Sequence, residues 1–318
     1  MINKASKVSL VILLIAIGFG VMYTQSNDST ESLPMLSRSL GNLESYELVL
    51  NCDLDQNVEP VTMAWIQKVP LKQEEAVILA EVFGLFDPDN VEKSEVTDIL
   101  RIQKDNLELT FYDKNNILYR EKGIKPVVKD YTDSEMISIA NDFLLPIIAA
   151  WNIDTDVEIS VEKVAPYWKS TTVYPDGSES TVTRGIGVRY RLYLDEIKLD
   201  GAGTEVTVVV AENRVISADL HLPSIKRGGK KELNIPLESA LNTMITRETE
   251  RSKQFGSESE TASGTLVIDM IEPVYYWHHQ DEIPDTLPIF YKIRGRVITD
   301  RNGQSHTDEF SVYEYTNP

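Results

Sequence analysis

An α+β fold, with an N-terminal transmembrane helix followed by repeated helix-plus-antiparallel-sheet units, is what the 318-residue sequence predicts. Three observations carry that prediction. Residues 8–23 (VSLVILLIAIGFGVMY) form an uncharged apolar run preceded by Lys4 and Lys7. Beyond it, windows with apolar residues at helical spacing alternate with short period-two segments bounded by Asp, Asn and Gly. This helix-then-meander pattern recurs three times, as expected of a chain assembled from similar units.

The first element, residues 1–23, is a transmembrane anchor or a signal peptide. Lys4, Lys7 and the free amine hold the N-terminus inside, and the polar segment after the run, with Asp28 and Glu31, follows outside. At about 1.5 Å per residue, residues 8–23 reach roughly 24 Å into the bilayer, so Ala5 and Ser6 or local thinning supply the rest. Gly18-Phe-Gly20 and Thr24-Gln-Ser26 are poor cleavage sites, which favours an uncleaved anchor. Both readings export everything that follows, to the extracytoplasmic side of a cell membrane. Residues 24–57 are polar and broken, a stalk in which only residues 46–50 hint at a strand.

The first α+β unit spans residues 58–123. A strand at 61–69 precedes a helix at 71–86, where Ala76, Leu79, Ala80 and Phe83 share a face and Gly84 and Pro88 end it. Strands at 99–103, 107–112 and 117–120 follow, joined through Lys104-Asp105-Asn106 and Asp113 to Asn116, since Asp and Asn tolerate left-handed backbone. The second unit, residues 124–222, opens with a capping box at Thr132 and Glu135; its helix runs to about Trp151 with a kink predicted at Pro146. A strand at 157–173, a Pro175-Asp176-Gly177 turn and a return strand ending at 188–194 come next. The run LDGAG at 199–203 turns the chain, and strands at 205–210 and 214–220 close a meander across Asn213. The third unit, residues 223–318, has a helix at 237–249 after Pro236. It continues with strands at 264–277, 289–299 and 309–315, the last two joined by an Asn302-Gly303 hairpin.

The helix with alternating small and large apolar residues, followed by VRYRLYLDEIKLDGAGTEVTVVVAENRVISADL (residues 188–220), resembles PepSY-like domains. Taken with the anchor, it also resembles the YycH/YycI accessory regulators of Gram-positive sensor kinases. The closing segment is similar to the last sheet of such proteins, through VYYWHHQ and the Pro288-Ile289-Phe290-Tyr291 strand leading to Gly295. The likeness extends over about residues 58–318 as a pattern of elements and turns. Asn213 departs from it, standing where many relatives place a turn glycine, although Asn reaches the same conformation. What the resemblance implies is a binding or regulatory role outside the membrane.

Composition narrows the partners. With 31 basic and 50 acidic residues, a formal charge of −19, nucleic acid is a poor partner, and so is an anionic lipid surface for the exported part as a whole. The single Cys52 excludes an internal disulfide and lies too far beyond the apolar run to be acylated; a small buried hydrophobe is its expected role.

Motifs for chemistry are missing: no His-Glu-x-x-His, no Gly-x-Ser-x-Gly and no phosphate-cradling glycine loop occurs. Adjacent His278 and His279 on a strand point to opposite faces, and His221 sits at a strand end in a structural role. Ser160 and Lys163 match Ser-x-x-Lys by letter but are sent apart on a strand. Asp53-Leu-Asp55-Gln-Asn57 starts like a calcium loop, yet Val58 and Ala64 replace its glycine and terminal glutamate. Asp300, Asn302 and Asp308 surround a hairpin, where turn formation accounts for the first two. No catalytic, cofactor-binding or metal-ligating residue is therefore assigned.

The candidate interaction surface is the aromatic cluster Tyr275, Tyr276, Trp277, Phe290 and Tyr291, because such residues supply rigid amphipathic area. Core packing of alternate members is the competing expectation. The leading reading is a membrane-anchored, non-enzymatic regulatory module that binds another membrane or envelope protein, such as a sensor kinase or protease. An envelope hydrolase using dispersed carboxylates is the alternative, and a ligand- or ion-binding module the third.

Overall fold

The computed structural model describes residues 46–315 apart from 55–58, 68–70, 95–98, 114, 125, 127–130, 152–156, 175, 234, 256–263, 278–285 and 302–303. The predicted anchor, residues 1–23, and most of the stalk lie outside the described residues, as do His278, His279 and Asn302. Among the described residues no helix is long and apolar enough to cross a membrane.

The first predicted unit supplies β2 (Val61–Gln67), α1 (Gln73–Val82), β3 (Asn90–Lys93), β4 (Leu100–Lys104), β5 (Leu107–Phe111) and β6 (Asn116–Glu121), preceded by β1 (Tyr46–Leu50). The second supplies α2 (Asp133–Trp151), β7 (Val157–Val173), β8 (Glu179–Leu194), β9 (Ile197–Asp200), β10 (Glu205–Ala211) and β11 (Arg214–His221). The third supplies β12 (Ser224–Lys231), α3 (Leu237–Phe255), β13 (Gly264–Tyr276), β14 (Ile289–Arg301) and β15 (Gln304–Tyr315). Local signals act as expected: Thr132 and Glu135 form a reciprocal cap, the Thr132 N–H reaching the Glu135 carboxylate at 2.8 Å. Helix α2 runs on past Pro146, which sits on its exposed side, where the Asp142 carbonyl that loses its partner meets water. Asp105, Glu212 and Asn213 take positive φ in the tight turns, so Asn213 does what a glycine would.

The assembly of these elements corrects the expectation of separate sheets. Strands from all three units join one 13-stranded mixed sheet, ordered β15-β14-β13-β9-β8-β10-β11-β6-β5-β4-β3, with β1 on β13 and β7 on β8. The residues 46–50 read as part of a stalk form β1, which runs parallel to β13 from Tyr46 opposite Gly264 to Leu50 opposite Ile268. A second sheet pairs β12 with β2, two strands assigned to different units. The join lies at β8, whose Leu192 to Leu194 pair with β9 and whose Ile186 to Arg191 pair with β10. From the outer side of that end-to-end pair, β13 leaves at β9 and β11 at β10.

One face of this sheet is covered along its length. Met136, Ala140, Leu144 and Ile147 of α2, with Ala76 and Ala80 of α1, pack on Ile102, Leu109, Phe111, Val188, Val208 and Leu220. At the centre, Val61, Ala64, Ile66 and Ile225 of the small sheet cover Leu192, Leu199, Tyr275 and Ile289. Leu237, Ala240, Leu241 and Met244 of α3 cover Leu266, Ile268, Ile293 and Val312. Pleat alternation keeps these positions on one side, and sends Arg189, Arg191, Lys198, Asp200, Glu205, Lys292 and Arg294 to the other.

Candidate functional site

Period-two alternation divides the predicted aromatic surface between the two sides of the sheet. Tyr275 and Trp277 enter the central core and Tyr291 the α3 core, all buried. Their polar ends are used internally: the Tyr275 hydroxyl donates to the Thr62 carbonyl, and Tyr291 donates to the Ile235 carbonyl at 2.9 Å. Tyr276 and the half-buried Phe290 go to the opposite side, where they meet Tyr313 with ring centroids 4.8 and 6.3 Å from it. The expected contact surface is thus corrected to packing, as a pleat with apolar neighbours on both sides requires. Two glycines of the LDGAG run seat Trp277. Gly201 has φ +94°, and a Cβ on it would lie 2.3 Å from the Trp277 carbonyl oxygen; one on Gly203 would lie 2.4 Å from the indole.

Beside Tyr276 and Tyr313 lies an ionic network. Asp200, only 1 % exposed, pairs with Lys292 and accepts from the Tyr313 hydroxyl at 3.0 Å. The Lys292 ammonium stands 5.2 Å from the Tyr313 ring centroid. Burial pushes the Asp200 carboxyl up, but the charges of Lys292, Lys198 and Arg191 and the Lys292 hydrogen bond outweigh it and hold the group at about 2. The β7 bulge between Val161 and Lys163 aims Glu162 at Arg191 (2.6 Å) and Lys198 (2.7 Å). Arg189 closes on Glu205 at 2.8 Å. Burial acts against the Glu162 charge as well, and its two basic partners again bring the carboxyl below its usual range.

Glu162 and Lys198 also line an open cleft of about 300 Å³ with Tyr193, Glu196, Glu272 and Arg294. Within it Glu162 is held ionised by Arg191 and Lys198, whereas a general acid needs a raised carboxyl pKa. The carboxyl pushed up is instead Glu314, buried on the α3 side; burial is the main cause, opposed by Arg247 at 2.6 Å and aided by Glu248.

The end of the β7–β8 hairpin is exposed. Among the described residues, 179–185 of β8 pair with β7 alone, so a two-stranded arm of about 20 Å extends past the sheet. Toward its tip Gly177 takes φ +81°, Asp176 accepts from the Ser178 backbone at 2.9 Å, and Thr171 and Thr181 hydroxyls meet across the strands at 2.9 Å. The arm exposes Val173 (63 %), Tyr174 (48 %) and Val182 (42 %), with Tyr167 (47 %) at its base. The sequence reading assigned these strands but not their protrusion.

The remaining candidates take structural places. His221 bonds Asn116 at 2.6 Å and approaches Asp219 at 3.3 Å. The β7 bulge sets Ser160 opposite Arg191 and Lys163 opposite Arg189, so the two share a side of the sheet, contrary to simple alternation, and both are exposed. Cys52 is half-buried beside the α3 core. Of the broken calcium loop, Asp55, Asn57 and Val58 are outside the described residues, whereas Ala64 is buried on the core side of β2. Asp300 faces Ser305 and Asp308 faces Val297 across the last hairpin. Among the described residues no group of three or more His, Cys, Asp or Glu is placed to hold a metal ion.

No protein-family model matches the chain, and no curated protein matches it. Among solved structures, the chain is similar to an uncharacterized protein from Eubacterium rectale ATCC 33656, at 10 % identity over 86 % of this chain and 90 % of that one, with a TM-score of 0.48.

Proposed function

We propose that the chain is a membrane-anchored, extracytoplasmic regulatory protein without enzymatic activity, which engages another membrane or envelope protein through the β7–β8 arm. The observation that supports this reading is the arm itself. A two-stranded ribbon is marginal in water, and one that displays Val173, Tyr174 and Val182 has apolar area to bury on a partner. Tyr supplies such area at low entropic cost. The salt-bridged side of the sheet favours the same reading, since Asp200 and Glu162 are held ionised by Lys292, Lys198 and Arg191. The resemblance to PepSY-like and YycH/YycI proteins points to a sensor kinase or a processing protease as the class of partner.

In-cell photo-crosslinking of the full-length protein tests this. A photoreactive residue at Tyr174 or Val182 is expected to give a discrete adduct with a membrane protein, whereas one at the equally exposed Tyr112 gives none. Absence of any adduct, together with turnover of a wall polymer by the purified protein, would assign the chain to the hydrolases instead.

A further inference from the structure

Strand β12 reads SIKRGGKK, four basic residues within six positions of a chain whose net charge is −19. Lys226 shares its side of the ribbon with Trp65, and Lys226, Lys230 and Lys231 are exposed, Lys230 past the register shift and near enough to Asp195 to act on its carboxylate. Among the described residues none of these three lysines forms an ion pair. Arg227 differs, since it is neutralised by Asp195, which also accepts from Thr62. The exposed Glu232 is the acidic neighbour in sequence, leaving the strand with a local excess of positive charge.

An aromatic ring completes the patch. Trp65 lies directly across from Lys226 and is half-buried. Its indole rests on Gly228, where a Cβ would come within 2.4 Å of Cη2. Gly228 and Gly229 fall in the register shift between Arg227 and Lys230, so the ribbon bends between its two lysine groups. Lys226 across from an indole with one face on the protein, and the exposed Lys230 and Lys231 beyond the bend, make the composition of a bilayer interface: Trp settles at headgroup depth and Lys pairs with lipid phosphate.

We propose that this face of the β2–β12 ribbon is a docking surface for the anionic phospholipid headgroups of the membrane in which the protein is anchored. Charge complementarity carries it: the acidic remainder of the domain is repelled from an anionic surface, so this patch sets which side turns toward the bilayer. An acidic protein partner would match the lysines too, and is the outcome that the test below separates from a lipid surface. The inference rests on the proposed anchor for proximity alone. The twenty-odd residues between the apolar run and β1 span on average about 25 Å if they behave as a flexible chain, which keeps the ribbon within reach of the headgroups.

The test uses the full-length protein reconstituted into vesicles of phosphatidylcholine, with or without one-third phosphatidylglycerol. Amine-reactive labelling is read by mass spectrometry at Lys226, Lys230 and Lys231, with exposed Lys169 and Lys72 as internal references. At about 1 kcal/mol per lysine near an anionic surface, labelling of the three should slow by at least about fivefold with phosphatidylglycerol. High salt should restore it, and the references should not change. Brominated lipid should quench Trp65 in the anionic vesicles only, a signal lost in W65F. Equal labelling in both vesicles overturns the proposal. So does protection by a soluble acidic peptide without an effect of phosphatidylglycerol, which would assign the patch to a protein. Failure of the chain to float with plain phosphatidylcholine vesicles would count against the anchor, a separate result.

Discussion

Asp200 shows how a residue chosen by no motif comes to hold the sheet together. It stands where β9 stops, its backbone carbonyl accepts from the Trp277 N–H at 3.0 Å, and its carboxylate gathers Lys292 and Tyr313 from β14 and β15. The side chain is buried, so loss of its charge leaves the Lys292 ammonium without its counter-ion. Asp200→Asn is therefore expected to cost about 3 kcal/mol, and a Lys292→Met change in the same chain should recover part of it, both read by denaturant unfolding. The pH dependence follows from the direction of the shift. The folded group sits at about 2 against an ordinary 3.8, so its contribution is complete above about pH 4 and disappears as pH falls through about 2. The shift corresponds to about 2 kcal/mol. Wild type and Asp200→Asn should thus converge in stability between pH 4 and pH 2; a gap that stays constant over that range would refute the assignment. Gly203 offers a steric counterpart. Gly203→Leu would drive a side chain into the Trp277 ring and should destabilise by about 2 kcal/mol, whereas Gly229→Leu, with open space around its Cβ position, should be nearly silent in the same unfolding assay.

At the scale of elements, legibility followed the number of wet faces. Residues 186–194 of β8 have water or salt bridges on one side only, and Val188, Tyr190, Leu192 and Leu194 alternate clearly with Arg189, Arg191 and Tyr193. In the arm, both sides are wet, alternation fades into Ser and Thr, and only the Asp176-Gly177 turn betrays a hairpin. Strand β9 escaped notice because its turn, Asp195-Glu196, takes positive φ without any glycine. Strand β12 was hidden by the double glycine that bends it. The aromatic cluster was legible as residue types, yet burial on both sides of β13 could not be read without knowing that β1, β9 and β14 flank it. An arm supported by one neighbour should also behave separately. Its amides at Thr171, Thr181 and Val182 are expected to exchange orders of magnitude faster than those of Val188 to Leu192, measured by hydrogen–deuterium exchange. Replacing residues 171–182 by an Asn-Gly turn should shift Tm by no more than about 3 °C while abolishing co-purification of the membrane protein that Tyr174 captures in the full chain. A large loss of Tm would make the arm part of the core and remove its role as a contact element.

The whole molecule is where local signals mislead most, because three helix-and-strand runs in sequence do not become three independent bodies. Each run donates strands to one sheet, and pairs that close it are distant, β1 with β13 and β9 with β13; the small sheet likewise joins β2 to β12. The Asn51 amide reaches Asp269 at 2.9 Å across 218 residues, a contact no periodicity reveals. Such topology couples the α1–α2 core, the central core and the α3 core through β8, β9 and β10. Opening the α3 side loosens β13 and β14, which carry Tyr275 and Ile289 into the central core, and opening the small sheet uncovers Leu192 and Leu194 beside the α2 core. Separate units would unfold in separate steps, whereas this arrangement should unfold in one. Calorimetry of the purified protein is expected to show a single transition with equal calorimetric and van't Hoff enthalpies, and probes in β5 and β14 should report the same midpoint. Deleting residues 46–50 removes the parallel neighbour of β13 and leaves Gly264 to Ile268 with an open edge, so the common midpoint should fall for both probes. A fall confined to the β14 probe would show that the joint at β9 transmits nothing, and that the units are independent after all.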